Sequence, residues 1–356
     1  MQKTELLGKS SSELEEFAEE QGEPRFRGRQ LFKWIYQKNM GSFYEMNDIP
    51  RELRFKLDKI AQISIPRVLK QRVAADGARK FLIELGDKKR IETVIIPQGD
   101  NKDTKHTICV SAQVGCPLQC VFCATGLSGF QRNLEAFEIV GQVLGSNREL
   151  MRRLKKKEPK LITNVVFMGM GEPMLNYREM LKSIHMINEP KGMNIGQRHI
   201  TVSTAGHAEG IQALAAEKLQ VTLAVSLHAA RDELRDRLMP INKKYPLQHL
   251  MESVAEYIRQ TGRRVTFEYV LLDEINMRSV DADDLIRLVK PLLANINLIP
   301  YNKVTEASYE PPSPYKVKRF YQKLVQAGLK VTIRHERGAD IDAACGQLAA
   351  HMAARF

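Results

Sequence analysis

Nowhere does this chain offer about 18 consecutive apolar residues, so no helix is expected to cross a membrane. The opening Met1-Gln2-Lys3-Thr4-Glu5 is polar and lacks the apolar core of a secretory signal, so the expected location is cytoplasmic. Cysteines number only 5, an odd count, unevenly placed. A secreted disulfide scaffold has more, more evenly spread. Low-complexity tracts and internal repeats of 20–50 residues are absent. Acidic residues are the minority: 42 Asp and Glu against 54 Lys and Arg, a formal charge of +12. That balance suits a polyanion partner such as nucleic acid, and equally a lysine-rich solvated surface.

What is present is ordinary for a folded protein: 43% hydrophobic and 27% charged residues. A length of 356 residues suggests two domains, or one α/β barrel with an appendage. The first 90 residues read as a small helical domain followed by a β linker. Ser10 and Glu13 have the spacing of a capping box ahead of Leu14 and Phe17. Leu31, Trp34 and Ile35 mark a helical stripe, and Pro50 precedes Leu53, Leu57 and Ile60 at helical spacing. Strand-like runs follow at 80–85 and 91–96. Arg25, Arg27, Arg29 and Lys33, with Phe26 among them, are candidates for gripping RNA or simply surface cations.

From residue 91 on, the expected second unit is an α/β core running to 356. Strand-like runs at 107–111, 164–168, 199–203, 221–226, 265–271 and 295–300 alternate with amphipathic stretches such as 134–144, 177–187 and 247–260. Six βα units imply a parallel sheet with right-handed crossovers. Six strands are too few to close as eight do, so the expected fold is a partial, open (βα)6 barrel. A seventh run at 331–334 and a last helix from Ile341 complete the pattern. Function in such folds gathers at the C-terminal strand ends. There stand Gly169-Met170-Gly171-Glu172, Ser203-Thr204, Ser226-Leu227-His228 and Tyr301-Asn302. The run Arg152-Arg153-Leu154-Lys155-Lys156-Lys157 suits a solvated helix end or a phosphate contact.

Cys116, Cys120 and Cys123 lie within eight residues, spaced C-x3-C-x2-C, after the first barrel strand. Three thiolates on one loop can bind three irons of a cubic cluster and leave the fourth open. Zinc is the rival, but a structural zinc takes four protein ligands and no local fourth is present. Three inert buried cysteines are the remaining alternative.

This spacing, with Gly169-Met170-Gly171-Glu172-Pro173 about 50 residues on, resembles the radical S-adenosylmethionine (SAM) superfamily. There the open iron chelates SAM and the glycine-rich run meets its amino group. The resemblance narrows with the strings at 109–116, 342–348, 91–94, 240–245 and 297–302. Together they look like the RlmN/Cfr family, whose members methylate adenine in RNA. The resemblance implies a [4Fe–4S] cluster on Cys116, Cys120 and Cys123, and SAM held by Gly171, Glu172, Ser203, Ser226, Leu227, His228 and Asn302. It also implies Cys345 and Cys109 as catalytic thiols, and Glu92 as a proton acceptor.

Carbon 2 of adenine lies between two ring nitrogens and is too electron-poor to attack the SAM methyl by polar displacement. A carbon radical adding to the ring avoids that difficulty. By resemblance, Cys345 first takes a methyl group. A second SAM is then cleaved, and its radical removes hydrogen from that methyl. The carbon adds to adenine, tethering enzyme to RNA, and Cys109 resolves the adduct through a disulfide with Cys345. The implied partners are 23S rRNA, at the peptidyl-transferase centre, and tRNA, at the adenosine 3′ of the anticodon. A flavodoxin- or ferredoxin-type electron donor is implied as well, with no DNA and no membrane. Pro173 and Pro300 resemble the carbon-2 enzymes more than those acting on carbon 8 to confer antibiotic resistance. A non-catalytic, metal-bound RNA-binding protein is the alternative of another class. It would leave the strand-end ring and the two extra cysteines without a role.

Overall fold

The computed structural model describes residues 3–99, 105–155, 160–305, 307–334 and 337–349. Near the N-terminus, helix α1 (Ser11–Glu20) begins at the expected capping box. The Ser10 hydroxyl accepts from the Glu13 N–H, and the Glu13 carboxylate accepts from the Ser10 N–H. Helix α2 (Phe26–Phe32) runs into a π turn, Lys33–Gln37, that buries Trp34, Ile35 and Tyr36. Helix α3 (Arg51–Ile60) follows Pro50 and buries Leu53 and Leu57.

One ten-stranded sheet organises the rest. Its strands are β1 (Arg67–Val73), β2 (Arg79–Glu84), β3 (Arg90–Pro97), β4 (His106–Cys109), β5 (Ile162–Phe167), β6 (Ile200–Thr204), β7 (Thr222–Ser226), β8 (Val265–Leu271), β9 (Ala294–Pro300) and β10 (Val331–Ile333). They lie side by side in unbroken chain order. From β1 to β4 the pairing is antiparallel, and from β4 to β10 it is parallel. The first and last strands do not pair, so the barrel stays open.

Helices α4 (Ala136–Leu154), α5 (Tyr177–Asn188), α6 (Ala208–Ala216), α7 (Asp232–Leu238) with α8 (Leu247–Thr261), α9 (Ser279–Val289) and α10 (Pro314–Gln326) are the successive crossovers. The parallel strands supply the core: Ile108, Val165, Val202, Leu223, Phe267 and Ile296 are fully buried. This burial on both faces is what crossover helices impose on a parallel sheet.

Two sequence expectations change. The stretch expected as a β linker is integral to the sheet, because β3 pairs directly with β4. Among the described residues, the final helix expected from Ile341 does not form. Ala339–Ile341 is a single 3-10 turn, and 342–349 is irregular. Asp342 is left-handed at φ 54°, and past it the backbone of Cys345, Gly346 and Ala349 bonds to other segments, with a single local turn bond from the Gln347 N–H to Ala344 O.

Candidate functional site

The cysteine loop is framed by a small hairpin, Gln113–Gly115 against Phe130–Asn133. Gly115 has φ +77°, and a Cβ there would stand 1.9 Å from the Gly129 carbonyl oxygen. Only glycine lets the loop start this close to its own end. The Cys116 N–H donates to Gly129 O at 2.8 Å, and the Cys123 N–H to Cys120 O at 3.2 Å. All three thiols line one cavity at the C-terminal mouth of the barrel.

The glycine-rich run after β5 lies against this loop. Gly169 has no room for a side chain, since a Cβ would come 2.6 Å from Val110 O. The Glu172 N–H donates to Gln113 Oε1 at 2.8 Å. Its carboxylate accepts from the Met174 N–H at 3.0 Å and the Ala205 N–H at 2.7 Å. Burial nevertheless pushes the Glu172 pKa up to about 7, with those N–H groups acting against it.

Gly171, Glu172, Ser203, Ser226, His228 and Asn302 all line the same cavity as the three cysteines. His228 is left-handed at φ 59°, and its Nδ1 accepts from the Val270 N–H at 3.0 Å. The ring proton therefore sits on Nε2. Burial, with Arg235 nearby, holds its pKa down to about 3, so the ring is a neutral donor. Leu227 differs from its neighbours. Its side chain is fully buried in the core, and only its backbone serves the strand ends.

Cys345 lines this cavity as well, from the irregular C-terminal segment. Cys109, at the end of β4, shares an adjoining cavity with Cys345, Cys123 and Asn302. All five cysteines are free thiols. Burial, then the neighbouring Cys345, pushes the Cys109 thiol up to about 12, against the pull of Arg334.

Glu92 lies behind these cavities instead of lining them. It is 1% exposed and 3.5 Å from the Lys80 ammonium. Its Oε2 accepts from the Ala349 N–H at 3.1 Å, while Lys80 donates to Asp342 O at 2.9 Å. The buried pair thus grips the Cys345 segment on both sides.

Sequence reading missed four groups. Arg334 lines both cavities, 3.9 Å from Glu268 on β8. Glu268 was detectable as a lone carboxylate inside an apolar strand run. Lys80 and Arg235 read as surface cations, and nothing in the local pattern marks them as buried. The N-terminal cations are partly committed: Arg25 and Arg29 pair with Glu15 at 3.1 and 3.2 Å. Arg152 and Arg153 both pair with Glu149, while Lys156 and Lys157 lie outside the described residues.

Residues 4–63 match the family described as the ribosomal RNA large subunit methyltransferase N-terminal domain, and 110–286 match the radical SAM superfamily. A probable dual-specificity RNA methyltransferase RlmN of Syntrophomonas wolfei is 59% identical over 98% of both chains. The chain belongs to the RlmN family of radical SAM methyltransferases. Its RlmN relative from Moorella thermoacetica is 45% identical over 97% of this chain and 96% of its own. The crystal structure of a radical SAM methyltransferase from Sphaerobacter thermophilus superposes with a TM-score of 0.92. It is 41% identical, covering 98% of this chain and 99% of its own.

Membership implies a [4Fe–4S] cluster and SAM, and the donor set fits both. Among the described residues, no three His, Cys, Asp or Glu side chains converge on a single metal position. A cubic cluster does not require that, since each thiolate binds a different iron. Burial pushes the Cys116 thiol up to about 12, and Cys120 rises through burial, Cys123 and Cys116. Three crowded thiols ionise together only beside strong positive charge, which iron supplies. On the SAM side, the buried Asn302 Oδ1 has no hydrogen-bond partner among the described residues.

Proposed function

We propose that this enzyme methylates carbon 2 of adenosine in RNA, at the peptidyl-transferase centre of 23S rRNA and 3′ of the anticodon in tRNA. The reading is supported above all by the shared cavity of Cys109 and Cys345, which adjoins the three-cysteine pocket through Cys123. Relatives named as dual-specificity RNA methyltransferases, matching along nearly the whole chain, agree with it. So does the excess of 54 basic over 42 acidic residues, which suits a folded polyanion.

Cys116, Cys120 and Cys123 would hold the cluster. Gly171, Glu172, Ser203, Ser226, His228 and Asn302 would hold SAM, with Leu227 contributing backbone. Bound there, the two cofactors supply the carbon-radical chemistry that an electron-poor ring carbon needs. The remaining work falls to side chains. The Cys345 sulfur gives up its proton and accepts the methyl group. It then presents that carbon to the adenine, which must be splayed out of its RNA fold to reach the barrel mouth. Cys109, sharing the cavity, closes on Cys345 and frees the product. Glu92 acts as proton acceptor from its ion pair with Lys80. A flavodoxin- or ferredoxin-type protein supplies electrons. The helical segment carrying Arg25, Arg27, Arg29 and Lys33 grips surrounding RNA; the accessory unit of residues to 90 to which it belongs lends β1 and β2 to the sheet of the core spanning 91–356.

Mass spectrometry of RNA nucleosides tests the reading, in a strain lacking the gene and complemented with wild type or Cys345→Ala. The expected product is 2-methyladenosine, restored by wild type alone. Finding 8-methyladenosine would move the activity to the other ring carbon, and finding neither would defeat the RNA assignment.

A further inference from the structure

Arg235 on α7 is an arginine with no exposed surface. Its guanidinium donates to Leu227 O at 3.0 Å, Ala205 O at 2.6 Å, Ser226 O at 3.2 Å and Asn242 Oδ1 at 2.7 Å. Every one of these acceptors is neutral. Among the described residues no carboxylate forms an ion pair with it. The nearest acidic groups act at one remove: Asn242 passes its own Nδ2 hydrogens to Asp232 and Asp236, at 2.8 and 2.7 Å.

A buried charge without a counter-ion is costly, and proteins rarely tolerate one. Hydrogen bonds satisfy the guanidinium geometry and leave its charge unbalanced. The direction in which α7 packs is informative. Its last residue, Leu238, accepts the N–H of Val121 at 3.2 Å, so the helix is bonded directly to the cysteine loop. Leu234 and Leu238 share an apolar cluster with Phe122, and Cys120 packs against it. Phe122 meets the His228 ring edge-on at 5.0 Å, next to the Leu227 carbonyl that Arg235 holds.

We infer that Arg235 is the counter-charge of the iron–sulfur cluster, a positioning residue that ties three strand-end carbonyls together and raises the cluster's reduction potential. The inference rests on the cluster assignment made above. A [4Fe–4S] core held by three thiolates is an anion, and reduction adds one electron from an external low-potential donor without making or breaking a bond. A fixed cation behind the loop favours the more negative, reduced state. Net charge and surrounding hydrogen bonds are known levers on such potentials. A carbonyl-binding role alone could be filled by neutral donors, whereas this site has the one side chain whose charge cannot be shed.

The test is a reductive titration of the anaerobically reconstituted full chain with dithionite, followed by electron paramagnetic resonance, with iron content measured alongside. Arg235→Gln should shift the midpoint potential downward at unchanged iron content, and Arg235→Lys should stay near wild type. Asp236→Asn removes a negative charge behind Asn242 and should shift the potential upward. That variant keeps the test open if Arg235→Gln does not retain iron. Equal midpoints in wild type and Arg235→Gln would overturn the inference, as would equal falls in the Gln and Lys variants. With iron lost from Arg235→Gln, an Asp236→Asn midpoint unchanged from wild type would overturn it too. Absence of iron from the wild type would instead overturn the cluster assignment.

Discussion

The Asn302 side-chain amide donates to the Cys345 carbonyl at 3.1 Å, reaching from the loop after β9 to the C-terminal segment. Its other end, Oδ1, is buried and free of protein partners among the described residues. One side chain therefore holds the thiol segment and still has an acceptor to offer a ligand. Asn302→Ala is expected to weaken SAM binding about tenfold, the effect of losing roughly one good hydrogen bond. Equilibrium binding to the reconstituted protein checks this.

Cys109→Ala is expected to separate the start of the reaction from its end. On the proposed mechanism Cys345 would still accept a methyl group and join RNA, but no second thiol would release the product. A covalent protein–RNA species should accumulate on denaturing gels. Normal turnover in the variant would contradict the assignment of Cys109.

Glu172 gives a pH signature opposite to that of ordinary carboxylates. Its pKa stands near 7 in the folded chain, above the usual 4.5, because burial favours the protonated form. Between those values the unfolded chain loses this proton while the folded chain keeps it. The stabilisation is full below about 4.5 and is lost as pH rises through 7. Its full extent is about 3 kcal/mol, at about 1.4 kcal/mol per unit. Urea unfolding of the cofactor-free chain across this range should show the fall, and Glu172→Gln should remove it.

Lys80→Met is expected to strand the Glu92 carboxylate without its cation. Breaking one side of a buried pair costs about 3–5 kcal/mol. The Cys345 segment also loses its Asp342 anchor and should become more sensitive to limited proteolysis. Arg25→Ala, at an exposed pair, should leave both measurements unchanged. Denaturant melts and digestion time courses of the three proteins decide the matter.

Much of the fold could be read from the sequence because each parallel strand is a short apolar run bounded by polar residues. The run 265–271 coincides with β8 as observed. The cysteine loop and glycine-rich run were legible from spacing, and the meeting of Cys109 and Cys345 at one cavity only from resemblance. The end of the chain misled because Ala343-Ala344 favours a helix by propensity. There the tertiary partners won: Ala124 and Thr125 bond to Gly346 O and Leu348 O, and Glu92 takes the Ala349 N–H. Lys80 and Arg235 escaped notice because a buried cation looks like a surface one until its acceptors, far away in the chain, are known.

The unbroken strand order has a consequence in time. Each strand of the sheet can dock on the one made just before it, so the sheet can grow along one edge as the chain lengthens. The contacts of the Cys345 segment do not follow this rule. Asp342 meets Lys80 across 262 residues, and Ala349 meets Glu92 across 257. Closing loops of that length is slow compared with adding a neighbouring strand. The segment carrying Cys345 is therefore expected to seat after the sheet, once β2 and β3 are in place to receive it. A chain interrupted before that return would carry the cysteine loop and the strand-end pocket, yet lack Cys345, the thiol proposed to receive the methyl group.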